Sequence, residues 1–558
     1  MNLLRIYHTL INLLPVQVYG RLLFFLKRKL LPVGNPGRLC KLAAELKTQL
    51  PLDRNATFSL CFLSRACSFG YDKVLWQSGR YYEKPEKLWV YQLNYFDWLF
   101  DGQTDCYSLQ NLYLILDWIE KNSSSRAESW EPFPLSRRIT AWVRWCREHP
   151  ALPSHAGDCI KNSILCQCDR LWFDLEYHNQ ANHLFENLQA LFVATVFLAS
   201  RAANLTPLLL RRLEFCALEL LKQFELQFFA DGGHFERSPM YHREMLESVE
   251  SVKSACEQLL QNRCSDKILE ERITQLKTLC EERVPKMRTW LALLTHPDGM
   301  IAQFNDSAQL PGILYEGFNS GILLEDSGFF VRHASDSYFA MSCGNPSPVF
   351  QPGHTHCDIL SYEFSLGGRR CVVDTGCGSY QNPQIRSECR QTSAHNLPMI
   401  EAAEQSDIWG SFRMGRRAYL LRRAYDADKG LLEVEFTDQY GQQFRREVIF
   451  APGMIKVRDR MSHRRVTGNF VSLLHLSPDV LIQPGNEAGC SNFILGAYKF
   501  AISTAARLRI GSYVWYPSFG QPVNAEKIIL SNNQSEAIDY VITWKTSQSS
   551  SGNPVLLP

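Results

Sequence analysis

Three short stretches hold a dense set of histidine and carboxylate side chains: Gly353-His354-Thr355-His356-Cys357-Asp358-Ile359-Leu360-Ser361-Tyr362-Glu363-Phe364, Val372-Val373-Asp374-Thr375-Gly376 and Arg390-Gln391-Thr392-Ser393-Ala394-His395-Asn396. His354 and His356 are spaced so that both imidazoles project to the same side of a strand. Asp374 follows an apolar run. Imidazoles and a carboxylate are ligands that zinc prefers, and one more group would remain for chemistry. The alternative interpretation is that these are polar residues at strand ends that neither bind a metal nor take part in catalysis.

Length and composition favour a folded protein of several domains. The chain has 558 residues, of which 45% are hydrophobic and 21% charged, so two or three domains with large cores are expected. The formal net charge of +2 gives no reason to expect nucleic acid as a partner. The 18 cysteines are scattered and include no Cys-x-x-Cys pair. This usage favours reduced thiols and a cytoplasmic location, with a periplasmic or membrane-associated location as the alternative.

The first thirty-one residues contain a hydrophobic but interrupted segment. His8, Asn12 and Pro15 break its apolar runs, and no small-x-small cleavage site follows. The segment therefore fits neither a secretory signal nor a transmembrane helix. Its second part, Gly20–Leu31 (GRLLFFLKRKLL), is basic and amphipathic and could make a peripheral contact with an anionic membrane. A helix packed on its own domain, with its cations in water, is the alternative.

Hydrophobic periodicity divides the chain into a helical half and a strand-rich half. Spacings of three and four residues predict helices at 109–121, 138–148, 182–202, 206–229, 244–262 and 267–294. Short β-rich runs follow at 328–333, 338–342, 361–366, 370–373, 431–436, 445–450, 455–460, 469–475 and 538–543. The predicted fold class is α+β multidomain, a helical domain at 1–315 in the manner of an (α/α) toroid and an antiparallel β-sandwich at 316–558.

The helical half contains a candidate site of its own. Asn182, His183 and Glu186 lie at the start of a strongly apolar helix, which Asn179 or Asn182 could cap. His183 and Glu186 share one face because they are three residues apart. A capping histidine with no chemical role is the alternative for His183. Arg138, at another helix start, is either a binding residue or a solvated charge.

A second polar segment precedes a later helix of the same half. It reads Asp231-Gly232-Gly233-His234-Phe235-Glu236-Arg237-Ser238-Pro239-Met240-Tyr241-His242 and combines turn residues with titratable groups. Tyr241 could equally be a core aromatic residue.

Taken together, these motifs resemble the heparinase II/III family of polysaccharide lyases, whose members have an (α/α) toroid followed by an antiparallel β-sandwich. The matching segments are Pro134–Trp142, Asn182–Asn187, Asp231–His242, Gly353–Phe364, Val373–Gly376 and Arg390–Asn396. The resemblance covers most of the chain. Cys357, Cys371, Cys377 and Cys389 surround the metal-like residues and could alter the choice of metal.

The resemblance implies a role for each matching position. Tyr241 corresponds to the acid, which on some substrates is also the base, and His354 to a second candidate base. His183, Glu186 or Asn182 would neutralise the uronate carboxylate. Arg138 corresponds to a substrate-binding arginine, and Arg237 and His242 are expected beside the substrate. His356, Asp374 and His395 correspond to ligands of a zinc ion that is structural in the family.

The implied reaction is β-elimination on an acidic polysaccharide or oligosaccharide that contains uronic acid. A base removes the C5 proton and an acid protonates the leaving oxygen at C4. Cationic neighbours such as Arg237, His242 or Arg243 would be needed for Tyr241 to act as a base. Residues of both halves are expected to meet in a cleft. Two alternatives stay open at this point: a zinc-dependent glycan hydrolase, and a non-catalytic glycan-binding protein of a surface-polysaccharide pathway.

Overall fold

A computed structural model describes residues 3–30, 35–53, 57–74, 76, 87–100, 108–123, 128–200, 206–261, 266–483, 490–532 and 535–546. Its α-helices, in chain order, are α1 (Leu3–Leu10), α2 (Pro15–Leu30), α3 (Gly37–Gln49), α4 (Lys87–Tyr95), α5 (Ser108–Lys121), α6 (Pro132–Glu148), α7 (Ser154–Phe173), α8 (Ala181–Ala199), α9 (Pro207–Gln227), α10 (Pro239–Gln261), α11 (Lys267–Leu293) and α12 (Pro383–Arg390). All but α12 precede residue 300, as the periodicity predicts.

The strands, in chain order, are β1 (Thr57–Phe62), β2 (Arg65–Gly70), β3 (Ile322–Leu324), β4 (Phe329–His333), β5 (Ser337–Ser342), β6 (Tyr362–Leu366), β7 (Arg369–Val372), β8 (Pro398–Ile400), β9 (Ile408–Trp409), β10 (Arg413–Met414), β11 (Tyr419–Asp426), β12 (Leu431–Thr437), β13 (Gln443–Ala451), β14 (Met454–Ser462), β15 (Phe470–His475), β16 (Leu481–Gln483), β17 (Cys490–Leu495), β18 (Tyr498–Thr504), β19 (Arg507–Trp515), β20 (Val523–Asn532) and β21 (Ala537–Thr546). The hairpin of β1 and β2 lies in the half that the periodicity assigns to helices alone.

Among the described residues, three larger antiparallel sheets and a two-stranded sheet of β9 and β10 form the strand-rich half. The strand orders of the larger sheets are β11-β12-β13-β14-β21-β18-β17-β16, β19-β20-β15-β8 and β3-β4-β5-β6-β7. The long strands alternate buried and half-buried residues, as in β13 and β14, because one face of their sheet covers a core. Aromatic residues such as Phe339, Phe364 and Phe450 fill that core. By contrast, β5, β6 and β15 are buried along their whole length.

The chain forms two compact units that do not follow one cut in the sequence. One unit comprises Met1–Asn12, Phe228–Glu244 and Lys286–Pro558, and the other comprises Leu13–Gln227 and Met245–Pro285. Tyr241, His354 and the three metal-like residues belong to the first unit, and the helical candidate group at 182–186 belongs to the second. The predicted division at 315/316 stays a prediction, because it concerns continuous segments whereas these units are defined by spatial packing.

Candidate active site

Tyr241 and His354 lie side by side in the first unit. Tyr241 is in the first turn of α10, and its ring centroid is 4.0 Å from that of His354. The Tyr241 hydroxyl is 2.9 Å from the hydroxyl of Tyr380, so the two tyrosines share a hydrogen bond. Tyr380 comes from the segment between β7 and α12, and sequence reasoning had assigned it no role. Two residues predicted from separate motifs are therefore in contact, together with a third aromatic residue.

A carboxylate fixes the orientation of His354. The His354 Nδ1 donates a hydrogen bond to Asp306 Oδ2 at 2.7 Å. The Nε2 atom has no hydrogen-bond partner in the part of the chain that the structure describes. A neutral imidazole that donates from Nδ1 has its lone pair on Nε2. His354 is thus arranged to accept a proton at Nε2.

Asp306 is the centre of a buried charge network. It also accepts a hydrogen bond from His356 Nε2 at 2.7 Å, and Arg386 donates to both of its carboxylate oxygens. Burial alone would raise the pKa of Asp306, but the Arg386 charge and the two imidazole hydrogen bonds lower it well below its ordinary value. Asp306 is therefore ionised at neutral pH. Asp306 is assigned no role from the sequence, and the polar run Asn305-Asp306-Ser307 is the only local signal that could have drawn attention to it.

The predicted strand at His354 and His356 is wrong, although the two imidazoles do converge. Residues 353–361 form turns and irregular backbone, and β6 begins only at Tyr362. The imidazoles meet because both donate to Asp306, and not because a pleated strand alternates its side chains. This arrangement depends on a residue about fifty positions earlier in the chain.

The surroundings of Tyr241 favour its protonated form. Burial raises the pKa of Tyr241 well above its ordinary value, and the negative charges of Glu244, Asp306 and Glu236 raise it further. The hydrogen bond with Tyr380 acts in the opposite direction and lowers it. A protonated phenol suits the acid in an elimination, because it has a proton to give to the leaving oxygen.

His242 and Arg237 contact protein groups in the first unit. Burial lowers the pKa of His242 to about 4, so this imidazole is neutral at pH 7 and cannot be the cation that sequence reasoning placed near Tyr241. Its Nε2 donates to the Met287 carbonyl at 2.9 Å. The Arg237 guanidinium donates to the carbonyls of Ser327, Gly328 and Asn345. Both side chains therefore hold backbone segments in place, and their predicted roles beside the substrate stay predictions.

The three metal-like residues are buried close to this network. His395 Nδ1 donates to Asp374 Oδ2 at 2.7 Å, and the ring centroids of His395 and His356 are 5.4 Å apart. His356 Nδ1 and His395 Nε2 are buried and have no hydrogen-bond partner among the described residues. Burial lowers the pKa of His356 to about 3, so its imidazole is neutral, which is the form that binds metal.

The chemistry of these donor atoms is suitable for zinc, but their positions in the structure do not form a metal site. Each imidazole gives one ring N–H to a carboxylate and keeps the other nitrogen free, as zinc-binding histidines do. Within the described ranges, however, no group of three or more His, Cys, Asp or Glu side chains is arranged to hold a metal ion. The Asp374 oxygen that would complete the set is engaged with His395. The residues therefore fit the ion by the chemistry of their donor atoms.

The helical candidate group is anchored by side-chain contacts within the second unit. The His183 Nδ1 lies 3.0 Å from Glu176 Oε1, and its ring packs on Phe133 with centroids 4.6 Å apart. Glu186 is buried, lies 3.7 Å from the Arg137 guanidinium and accepts a hydrogen bond from Ser248. Burial raises the pKa of Glu186, although Arg137 and Ser248 partly oppose this. A raised pKa favours the neutral carboxyl group, which can donate a hydrogen bond.

The predicted cap of α8 is wrong. The N-cap residue is Gln180, at φ +56°, and no side chain caps the helix there. Asn182 is instead a buried residue within the first turn, and Asn179 contacts Glu176 and His183. The polar residues at this helix start therefore form a side-chain cluster, and the backbone has positive φ at Gln180 and at Ala181, the first residue of α8.

Arg138 is fully buried, whereas its neighbour Arg137 is partly exposed. The Arg138 guanidinium stacks on Trp118 at 3.8 Å and donates to the Gln167 side chain at 2.9 Å. Arg137 donates to Asp97 and faces Glu186. The role of Arg138 in substrate binding stays a prediction, and Arg137 is the arginine at this helix start that sequence reasoning passed over.

Two family models match consecutive parts of the chain. Residues 73–321 match the heparinase II/III N-terminus, and residues 319–549 match the heparinase II/III-like C-terminal domain. The chain belongs to the heparinase II/III family of polysaccharide lyases. A search of the curated proteins found no match.

Solved structures of heparinase II/III lyases have the same fold. A heparan sulfate lyase from Pedobacter heparinus is 16% identical, with a TM-score of 0.58, over 92% of this chain and 84% of that one. A heparinase III structure is 15% identical, with a TM-score of 0.62, over 85% of this chain and 79% of that one. The predicted fold class, an (α/α) toroid followed by an antiparallel β-sandwich, is confirmed. The common cleft and the roles of individual residues stay predictions.

Proposed function

We propose that this heparinase II/III family member cleaves a uronic-acid-containing polysaccharide or oligosaccharide by β-elimination. The observation that supports this most directly is the contact between Tyr241 and His354, a protonated phenol beside an imidazole whose Nε2 can accept a proton. An acid and a base next to each other are what the reaction needs. Membership of a polysaccharide lyase family supports the same reaction.

In the proposed reaction, the C5–H bond of the uronate breaks and its proton passes to His354 Nε2. The electron pair left on C5 forms the C4=C5 double bond, and the bond between C4 and the leaving oxygen breaks. Tyr241 gives its phenolic proton to that oxygen. The imidazolium and phenolate that remain return to their starting states by proton exchange with water. Asp306 holds His354 in the required tautomer throughout.

The carboxylate of the uronate must be neutralised before C5 becomes acidic enough. We assign this role to Glu186 in its neutral form, with His183 and Asn182 as neighbouring groups. The raised pKa of Glu186 supports the assignment, since only the protonated carboxyl group can donate to the substrate carboxylate. One such donor, aimed at developing charge, contributes about 3 kcal/mol to catalysis.

The proposed substrate class is a glycosaminoglycan-type polymer. One structural relative is named a heparan sulfate lyase and the other a heparinase III. At 15–16% identity the relatives support the class of polymer and not a single one.

We also propose that His356, Asp374 and His395 hold one zinc ion with a structural role. When bound, the zinc would cross-link the segments that carry these three residues. The elimination itself uses only the protein groups described above. Support comes from the two unpartnered ring nitrogens and from the carboxylates that receive the opposite N–H groups.

Ultraviolet absorbance of the product tests the proposed reaction. Incubation with a panel of uronic-acid polymers should give a product whose C4=C5 double bond absorbs in the near ultraviolet. Cleavage without this absorbance would indicate a hydrolase, and binding without cleavage would indicate a glycan-binding protein. Either result would overturn the proposal.

Tyr241→Phe is the matching variant, because it removes one oxygen atom from the proposed acid. Turnover should fall by about 10² to 10⁴ while the folded structure is kept. Tyr419→Phe, the same change at an exposed tyrosine of β11, is the control and should keep full activity. Retention of more than about a tenth of the turnover by Tyr241→Phe would contradict the assignment.

If His354→Ala is fully active while Tyr241→Phe is inactive, Tyr241 is both base and acid.

A further inference from the structure

Helix α2 is fastened to the second unit by one face. Phe24 packs on His178, with ring centroids 4.4 Å apart. Gly20 lies against the same residue, so closely that a Cβ atom there would be 3.4 Å from the His178 backbone nitrogen. Gln17 is buried and accepts a hydrogen bond from the Leu14 backbone. These contacts fix which side of α2 faces away from the protein.

The opposite side of α2 carries a set of exposed apolar side chains. They are Val18, Tyr19, Leu22, Leu23, Phe25, Leu26 and Leu30, each between 44% and 70% exposed. At about 100° per residue, Leu22 and Leu26 lie at the centre of this set and the others lie around them on the same side. Such a contiguous apolar surface is uncommon on a protein that has no partner for it.

Basic residues border this apolar surface, and α2 itself carries no acidic residue. Arg21 lies at one edge and Lys27 at the other, while Lys29 lies within the set near the end of the helix, and all three are exposed. The first Asp or Glu of the chain is Glu45. By contrast, the exposed leucines of α9 share their helix with Glu214, Glu219 and Glu225. An apolar surface with a basic border is complementary to acyl chains below anionic phosphates.

The helix is suited to lie on a bilayer. Among the described residues, no single helix is both long and apolar enough to cross a membrane, and Leu3–Leu10 with Pro15–Lys27 pass the same test only when counted together. We propose that α2 binds an anionic lipid surface, with its Leu22/Leu26 side inserted among the acyl chains and its basic residues at the headgroup phosphates. This would hold the protein at a membrane independently of its activity on polysaccharide.

Vesicle flotation of the full chain tests the proposal. The protein should float with vesicles of phosphatidylcholine that contain about one third phosphatidylglycerol, and bind vesicles of phosphatidylcholine alone about tenfold more weakly. The double variant Leu22→Gln/Leu26→Gln should lose at least about tenfold in affinity, because it removes the centre of the apolar surface while glutamine keeps the helix propensity. Arg21→Gln/Lys29→Gln should remove most of the preference for anionic lipid and most of the salt dependence.

The matched control is Leu218→Gln/Leu226→Gln, which changes two exposed leucines of α9 in the same unit. It should bind anionic vesicles as the unchanged protein does. Equal loss in the control and the α2 variant, or no binding to anionic vesicles at all, would overturn the proposal. A concentration-dependent dimer that Leu22→Gln/Leu26→Gln abolishes, without any vesicle binding, would show that a second copy covers this surface instead. Circular dichroism of each variant checks that the helices are retained.

Discussion

At the scale of single residues, the Tyr380 hydroxyl is the neighbour that most directly affects the proposed acid. It lies 2.9 Å from the Tyr241 hydroxyl, and it is the one contact that lowers the pKa of Tyr241 while burial and three carboxylates raise it. Once Tyr241 has given up its proton, a hydrogen bond from Tyr380 would stabilise the phenolate. Tyr380 is therefore a positioning residue for the proposed reaction.

Tyr380→Phe removes only that hydrogen bond. We expect kcat to fall about tenfold with little change in KM, since a hydrogen bond to a charged group contributes about 1.5 to 3 kcal/mol. Steady-state kinetics on the best substrate measure this, with Tyr419→Phe as the control. An unchanged kcat would mean that the two hydroxyls are neighbours without functional coupling.

Glu186 gives a prediction about pH. Burial raises its pKa above the ordinary value, with Glu247 and Asp97 adding to the rise and Arg137 opposing it. If the neutral carboxyl group is needed, activity is present below that raised pKa and is lost as pH increases through it. Glu186→Gln is neutral at every pH, so it should keep measurable activity and lose this part of the pH profile.

Comparing Glu186→Ala with Glu186→Gln tests the hydrogen-bond donor itself, because alanine has no group that can donate and glutamine has one. Its kcat should fall by about 10² or more, whereas Glu186→Gln should stay within about tenfold of the unchanged enzyme. Equal kcat values for the two variants would contradict the proposed role. So would a glutamine variant with an unaltered pH profile.

At the scale of elements, α12 links the network around Asp306 to the surface. This short helix carries Arg386, which pairs with Asp306, and Arg390, which donates to the Thr355 and Pro352 carbonyls. The Asn382 side chain caps it by accepting hydrogen bonds from the backbone N–H groups of Gln384 and Ile385. A helix of eight residues depends strongly on such a cap.

Asn382→Ala should therefore lower the free energy of unfolding by about 1 kcal/mol. Chemical denaturation measures the loss, and Asn382→Asp is the control, since aspartate caps a helix equally well. A stability unchanged by alanine would show that packing of the two arginines is enough to hold α12.

The differences between predicted and observed elements have local causes. Helix α6 begins at Pro132, whereas the predicted helix begins at Arg138. The Pro-Phe-Pro start resembles a loop in the sequence, although proline is favoured in the first turn of a helix. Helix α7 was missed because Ser163, Gln167 and Arg170 are buried among its apolar residues and hide the periodicity. In both cases the folded structure places in a helix residues that a simple hydrophobic pattern does not assign to one.

At the scale of the whole molecule, the zinc proposal predicts a stability effect. Purified protein should contain about one equivalent of zinc, and a chelator should lower the melting temperature, with activity lost only as the β-rich half unfolds. His356→Ala should reproduce the effect of the chelator, since it removes one of three ligands. Activity that vanishes at an unchanged melting temperature would indicate a catalytic metal. Protein of normal stability with much less than one equivalent would contradict the site.

The order of the two halves was determined by the sequence alone. Hydrophobic period is a local property, so spacings of three and four residues before residue 300 predict six of the described helices, and short β-rich runs after it predict nine of the described strands. The pairing of Tyr241 with His354 was also expected, but from the family resemblance of separate motifs. The spacing of residues within either motif does not predict that Tyr241 and His354 are in contact.

Only the tertiary structure decided how the predicted residues are held. Asp306 joins His354 and His356, which share one segment, to Arg386 of another segment, and no spacing in the sequence relates Asp306 to either segment. The same holds for Tyr380 beside Tyr241. Burial determines the direction of the pKa shifts of Tyr241 and Glu186, because these shifts depend on how much water each side chain loses when the chain folds. Desolvation is a property of the packed structure, and it moves the pKa values of both residues in the direction that the proposed chemistry needs.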